Sequence, residues 1–403
     1  MNSSSRDPTW SVRRRYFPAV EGMRGVAALL VIAGHLLEWG YAEGSTPYEL
    51  GYWLAPFGLV VFFAISGFLL YRPFLAARSK GETVGEFTPS YLWRRAVRIL
   101  PAYWVALTLS TIWMSWPGVF SGDWWVYYGL FQTYSADWYL NGLPTAWSLG
   151  VEITFYLLLP LIALALARYG LGSGRRNALR WEVGALVAIG VASLLWRAVL
   201  GTDQAENRID QNLLGCLGFF SVGMLFAAAE VTHPRALQRL RGVLSPMLPC
   251  WLAGAVLFAL IPLEVGEKLG LPSHLVLGLN TVLYGLSGGL LLGPAIFGDG
   301  RGWVQRLLEN RVAVFAGTIS YGLYLWHWPF VAWAASKGWL LDLPASFFWL
   351  CLVTIVGTTV AAIGSWYLVE KPLMLRARSV KAFQHRREGK VEVAVEGAST
   401  WVR

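Results

Sequence analysis

The chain reads as an all-α polytopic membrane protein of about ten transmembrane helices, with both termini in the cytoplasm. Three observations predict this. Of 403 residues, 56% are hydrophobic and only 14% are charged, where a soluble domain carries roughly 25% charged residues. Apolar stretches long enough to cross about 30 Å of hydrocarbon recur along the whole length. They fall near 18–39, 54–71, 98–116, 145–167, 181–200, 212–230, 246–263, 275–297, 312–335 and 345–369. The positive charge between them falls almost entirely on alternate loops.

The first stretch follows Arg13-Arg14-Arg15 and offers no small-residue cleavage site. It is expected to stay as an anchor, not to leave as a signal peptide. With the N-terminus placed inside, segments 1–17, 71–98, 168–180, 231–245, 298–311 and the tail from 371 hold 28 of the 33 Lys and Arg residues. The opposite side holds 4 (Arg197, Arg208, Lys268 and Lys337), and Arg24 lies within a helix. A miscounted helix would scramble this asymmetry, which is the positive-inside rule. The same distribution explains the net charge of +9 without invoking nucleic acid. The run from Trp124 to Tyr134 is too short to span and reads as interfacial or re-entrant. The loop around it, 117–144, is rich in Trp and Tyr and has no Lys or Arg; it either stacks sugars or sits at the interface. The expected organisation is a basic cytoplasmic N-terminus (1–17), one transmembrane domain (18–370) and a basic disordered cytoplasmic tail (371–403). Cys216, Cys250 and Cys351 have no metal-ligand spacing and read as packing residues, so no metal site is expected.

Two charged groups stand out in the first helix, Arg24 and His35. Eleven residues turn a helix about 20° past three full turns, so both lie on one face about 16 Å apart. An ionisable group inside a membrane-length helix is costly and marks a functional site by default. Counted from the inner helix ends, His35 lies about 17 residues deep, and Glu152 and His327 about 15, one layer roughly 22–26 Å from the cytoplasmic end. A neutral His is a good general base near neutral pH, and a carboxylate on its other nitrogen would fix the tautomer. These three are the candidate catalytic residues. The structural alternatives are a backbone-bonded His327 and a Glu152 that only glues helices. Arg24, about 9 Å from the inner end, either snorkels to lipid phosphate or binds a phosphorylated ligand. Arg94, Arg95 and Arg98 lie at the inner mouth of the third helix, where guanidinium groups on one face suit phosphate; as a plain positive-inside anchor they need no ligand. Ser66-Gly67, in an otherwise bulky run, permits either close helix packing or room for a thin ligand.

Several motifs taken together resemble the bacterial acyltransferase-3 family of integral membrane O-acyltransferases. They are Arg24 with His35, Phe63-Ala64-Ile65-Ser66-Gly67-Phe68-Leu69, the run from Arg94 to Trp104, and Trp147-Ser148-Leu149 ahead of Glu152. Ser320-Tyr321-Gly-Leu-Tyr324-Leu-Trp-His327-Trp-Pro329 and Glu370-Lys-Pro372 complete the set. The resemblance covers about 17–375. It implies transfer of an acyl group, most often acetyl, from cytoplasmic acyl-coenzyme A to a hydroxyl of a glycan, glycolipid or glycosylated metabolite, in the bacterial inner membrane. His35 would be the catalytic histidine and Arg24 its partner. Arg94, Arg95 and Arg98 would bind the coenzyme, with Ser66 beside its slim arm. The chain is similar to the stand-alone form, not to relatives with a fused extracytoplasmic esterase-like domain. Many relatives have two adjacent acidic residues after Trp-Ser-Leu, whereas here Glu152 is followed by Ile153. A competing class is a transporter or flippase that relays protons through the same His and Glu residues. A lipid-linked sugar transferase ranks last, because Asp123 and Asp137 are not spaced as metal-binding carboxylates. Membrane lipids are partners on any of these readings.

Overall fold

The computed structural model describes residues 16–79, 81, 83–135, 137–170, 175–200, 211–232, 234–298, 300, 302–337 and 344–377. Among the described residues fifteen α-helices follow one another: α1 Pro18–Gly40, α2 Thr46–Ser79, α3 Val84–Met114, α4 Trp124–Tyr128, α5 Ala146–Gly170, α6 Arg175–Leu200, α7 Leu213–Thr232, α8 Pro234–Leu244, α9 Met247–Ala259, α10 Val265–Lys268, α11 Ser273–Phe297, α12 Trp303–Glu309, α13 Arg311–Thr318, α14 Ser320–Ser336 and α15 Pro344–Ser365. There is no strand among the described residues. Among the described residues eight helices are long and apolar enough to cross a membrane, and a ninth span arises if the bent pair Gln238–Leu244 and Met247–Ala259 is taken as one.

The chain is therefore an all-α polytopic membrane protein, and the difference from ten spans has two local causes. The stretch expected at 246–263 contributes a helix of only 13 residues, turned by 72° from the segment before it. Pro246 sits in extended backbone at that corner (φ −76°, ψ 97°) and cannot donate to a continuing helix. The stretch expected at 312–335 is parted at Ile319 into α13 and α14, of 8 and 17 residues. The Thr318 hydroxyl bonds back to the Val314 carbonyl at 2.9 Å, a local alternative that loosens a helix end.

The expected boundary at 371 falls within helix. After α15 a π-helical turn covers Trp366–Glu370, and helix continues to Ala377, so one span runs Ala345–Ala377. Residues 1–15 and 378–403, which hold most of the expected cytoplasmic ends, lie outside the described residues.

The chain divides into two compact units built from interleaved segments. The sequence shows no linker, since neither unit is contiguous. The first comprises Met1–Glu38, Gly44–Phe87 and Leu158–Thr318. Its centre is α2, which spans about 50 Å at 1.5 Å per residue and packs on α7, α11 and α1. Glycines set these approaches. A Cβ on Gly67 would collide with the Phe220 carbonyl of α7, and one on Gly223 with the Ala64 carbonyl of α2. Without lipid-exposed hydrophobic driving force, such small-residue notches are how membrane helices gain packing energy. Phe63 stacks on Phe220 beside the notch, with ring centroids 4.7 Å apart. Gly67 is thus a packing residue, and the choice left open at Ser66-Gly67 is settled for its second member. Gly67→Ala is expected to destabilise by about 1–3 kcal/mol as overpacking against backbone. Gly184→Ala on α6, where a Cβ meets open space, should leave the thermal unfolding midpoint in detergent unchanged.

Charged side chains close one end of the same unit. Arg72 of α2 pairs with Glu230 of α7 at 2.7 Å and covers the Phe17 ring. Glu182 of α6, only 3% exposed, accepts from Arg78 and from the Tyr71 hydroxyl, each at 2.6 Å. Glu230 and Glu182 each have a cation beside them, as the burial of a carboxylate favours.

The second unit comprises Trp39–Glu43, Thr88–Leu157 and Ile319–Arg403. In it α14 packs on α15, with Gly322 against Ala362 and Gly357 against the Phe330 ring. The aromatic loop hangs on α3. The Tyr103 hydroxyl donates to the Tyr127 carbonyl at 2.6 Å, and the Trp104 indole to the Tyr128 carbonyl at 3.0 Å. The stretch expected to be interfacial or re-entrant is the five-residue α4 followed by a 3₁₀ turn, Gln132–Tyr134. Trp124, Trp125, Phe131 and Tyr134 stand about half exposed there.

Candidate functional site

In the first unit, α1 runs unbroken from Pro18 to Gly40, so the expected separation of Arg24 and His35, about 16 Å along one face, is kept. Arg24 is held inside the protein, not at its lipid surface. Its side chain is 13% exposed, and its guanidinium meets the Glu21 carboxylate one turn earlier at 3.3 Å. The glycines around it explain this placement. A Cβ at Gly22 would strike the Leu308 carbonyl, and one at Gly25 would crowd Ala316 and Gly317, so this turn of α1 is pressed against α12 and α13. An arginine reaching lipid phosphate would be exposed instead. Glu21 was not among the residues singled out from the sequence; its signal is the i, i+3 spacing to Arg24.

His35 is half-buried on the same helix. Its neighbour Gly34 lies where a Cβ would clash with Ala55 of α2, so the α1 and α2 backbones approach closely at the level of the histidine. Ser66 is half-buried on α2, one residue before the notch glycine.

The second unit holds the other candidates. Tyr91, Arg95 and Arg98 recur at i, i+4 and i+7 on α3 and so form one stripe. The three arginines are not equivalent. Arg94 is exposed and donates to the Ser90 hydroxyl at 3.1 Å. Arg95 is half-buried, and its Nε is shielded from solvent without a hydrogen-bond acceptor among the described residues. Glu152 and Tyr156, spaced i, i+4 on α5, meet this stripe. Tyr156 is 6% exposed; it hydrogen-bonds the Glu152 carboxylate, and Arg95 lies within the field of both. Glu152 is thus half-buried, with a phenol on it and a guanidinium nearby. Tyr91 and Tyr156 were missed in the sequence, where a tyrosine four residues from an arginine or a glutamate carries no distinct pattern.

His327 on α14 is fully buried, and its Nδ1 donates to the Tyr324 carbonyl at 2.7 Å. That bond places the proton on Nδ1 and leaves Nε2 as the lone-pair nitrogen. The backbone-bonded alternative is therefore present for one nitrogen, and it defines the tautomer of the other. The same tyrosine ties α14 to the start of α5. Its hydroxyl donates to the Thr145 carbonyl at 2.7 Å and shares a hydrogen bond of 2.7 Å with Ser148. Tyr321 fixes α14 to α3 by donating to the Ile99 carbonyl at 2.9 Å. Near it, Glu370 is 2% exposed in the π-helical turn and accepts from Ser365 at 3.2 Å. π-Helical turns inside helices occur disproportionately at functional sites.

The structure thus brings Arg95, Arg98 and Glu152 together in the second unit, with His327 on α14 of that unit. Arg24, His35 and Ser66 belong to the first. Among the described residues, no three His, Cys, Asp or Glu side chains stand together as a metal site would require. Cys216, Cys250 and Cys351 are free thiols.

Residues 17–366 match the family described as an acyltransferase domain. Curated relatives carry acetyltransferase names. The peptidoglycan O-acetyltransferase OatA of Listeria monocytogenes is 22% identical over 388 residues, covering 89% of this chain and 56% of that protein. The putative peptidoglycan O-acetyltransferase YrhL of Bacillus subtilis is 23% identical, with 92% and 57% covered. A putative O-acetyltransferase of Staphylococcus aureus (strain COL) is 23% identical, with 93% and 59% covered. The chain therefore spans a little over half the length of each. No solved structure matches it.

Proposed function

We propose that this chain, which belongs to the acyltransferase domain family, is a membrane O-acyltransferase that moves an acetyl group from cytoplasmic acetyl-coenzyme A to a hydroxyl of a carbohydrate-containing acceptor. The observation that carries the reading is the match across 17–366, which contains every candidate residue. The names of two relatives make peptidoglycan the first acceptor to try. The membrane is read as the bacterial inner membrane, with the segments rich in Lys and Arg on its cytoplasmic side.

In this reading His35 is the general base. It takes the proton from the acceptor hydroxyl as the oxygen attacks the thioester carbonyl. A carbon–oxygen bond forms, the carbon–sulfur bond breaks, and the proton passes to the departing coenzyme thiolate. Arg24, Arg94, Arg95 and Arg98 are the cations read as serving the coenzyme phosphates, with Arg94 exposed. Ser66 lies beside the pantetheine arm. Glu152 and His327 are supporting groups.

The test uses the full chain purified into vesicles and supplied with acetyl-coenzyme A and a soluble peptidoglycan fragment. Expected is release of free thiol that depends on acceptor, with an acceptor product heavier by one acetyl group. Failure to consume the coenzyme with any glycan, alongside proton-coupled uptake of a glycan, would replace this reading with transport.

A further inference from the structure

The helix α8 has no part in the reading above, yet its composition and setting are specific. Its sequence, Pro-Arg-Ala-Leu-Gln-Arg-Leu-Arg-Gly-Val-Leu, holds Arg235, Arg239 and Arg241 and no acid. It meets α9 at a 72° bend. Arg239 and Arg241 in hydrocarbon would each cost several kcal/mol, and the bend turns them out of the line of the apolar α9.

Its packing shows which way it lies. Leu244 is buried, and the Gly293 position of α11, four residues before that helix ends, faces its methyl groups. Leu240, one turn earlier, is half-buried. This stripe therefore rests on the end of α11, so α8 sits at the edge of the span and not within it. Gln238, Arg239, Arg241 and Val243 are exposed, Val243 at 70%. Arg239 and Val243, at i and i+4, share one flank of the packed stripe, while Arg241 takes the other. A basic helix with an open apolar edge lies in the plane of the membrane surface, its valine among acyl chains and its guanidinium groups at phosphate level.

A second element repeats the pattern. The chain runs away from α8 along α9 and comes back along α11, whose Gly293 end packs on Leu244, so α12 follows at the same end as α8. On α12, Val304, Gln305 and Leu308 are buried, while Trp303, Arg306 and Leu307 are exposed. A tryptophan beside an arginine is the side-chain pair of a membrane–water interface. Its one acid, Glu309, receives a hydrogen bond from Gln305 one turn earlier at 3.0 Å.

We propose that α8, with the exposed face of α12, forms an in-plane surface that binds anionic phospholipid headgroups through Arg239, Arg241 and Arg306. The occupant is the lipid leaflet, chosen by charge: the surface offers cations around an apolar edge, which fits an acidic headgroup above acyl chains.

The test is lipid selectivity of the full chain, which needs no acceptor. Wild-type protein in nanodiscs of phosphatidylcholine with 30% phosphatidylglycerol, at about physiological ionic strength, is expected to enrich phosphatidylglycerol in its retained lipid, read by native mass spectrometry. The double variant Arg239→Gln, Arg241→Gln should lose that enrichment about tenfold, each arginine near the surface contributing a severalfold factor. The charge-matched control Lys268→Gln, Lys337→Gln should retain it. Should the double variant fail to fold, raising salt to about 1 M on wild-type protein, where screening acts within about 3 Å, must abolish the enrichment. Equal retention of the two lipids by wild-type protein overturns the proposal, and so does enrichment that survives both the substitutions and the salt. A concentration-dependent dimer abolished by Val243→Ser, without lipid preference, would also overturn it and assign the face to a second copy.

Discussion

His35→Ala is expected to abolish acetyl transfer, lowering the rate by about 10²–10⁴, the range for losing a positioned general base. Yield, helical content and thermal midpoint should stay near wild type, because His35 is only half-buried and lies outside the glycine contacts that fix α1. The neighbouring position provides the contrast. A Cβ at Gly34 collides with the Ala55 backbone, so Gly34→Ala should lower stability first and activity only through it. Measuring thiol release and thermal unfolding on both variants separates chemistry from packing. Near-normal turnover in His35→Ala would remove His35 as the base. A stable acetyl adduct trapped on His35 in wild-type protein would make it a nucleophile instead.

How far the sequence alone reaches can be judged from particular residues. Spans such as α1, α7 and α11 were legible because about twenty consecutive apolar residues leave little alternative in a membrane. The break at Ile319 was not, because hydropathy averages over a window and passes over one Thr hydroxyl bonding its own helix. The bend before α9 was hidden similarly, although Pro246 was in view. Arg24 and His35 were legible from cost: ionisable groups inside an apolar run demand a reason. Glu21, Tyr91 and Tyr156 were not, since each gains meaning only from a partner fixed by the fold. The division into two interleaved units left no trace in composition, because each is assembled from separate stretches of chain.

The three arginines in the first half of α3 give the second large effect, and their environments rank them. Arg94 is exposed and engaged by Ser90 on its own helix; removing it costs a screened surface charge. Arg95 is half-buried, with its Nε away from solvent and unbonded among the described residues. Keeping such a donor unsatisfied is costly, about 1–3 kcal/mol, and an anionic ligand would relieve that cost on binding. Glu152 and Tyr156 of α5 lie within electrostatic reach of the guanidinium. Arg95→Ala is therefore expected to raise the KM for acetyl-coenzyme A by about tenfold to a hundredfold, as loss of a charged hydrogen bond would, while Arg94→Ala changes it less than about threefold. Arg95→Lys should recover little, because an ammonium lacks the planar fork. Tyr156→Phe, which keeps the ring and removes the hydrogen bond to Glu152, should fall between the two. Equal losses at Arg94 and Arg95 would mean that the cluster acts only as diffuse positive charge, and the buried guanidinium would then have no special part in binding the coenzyme.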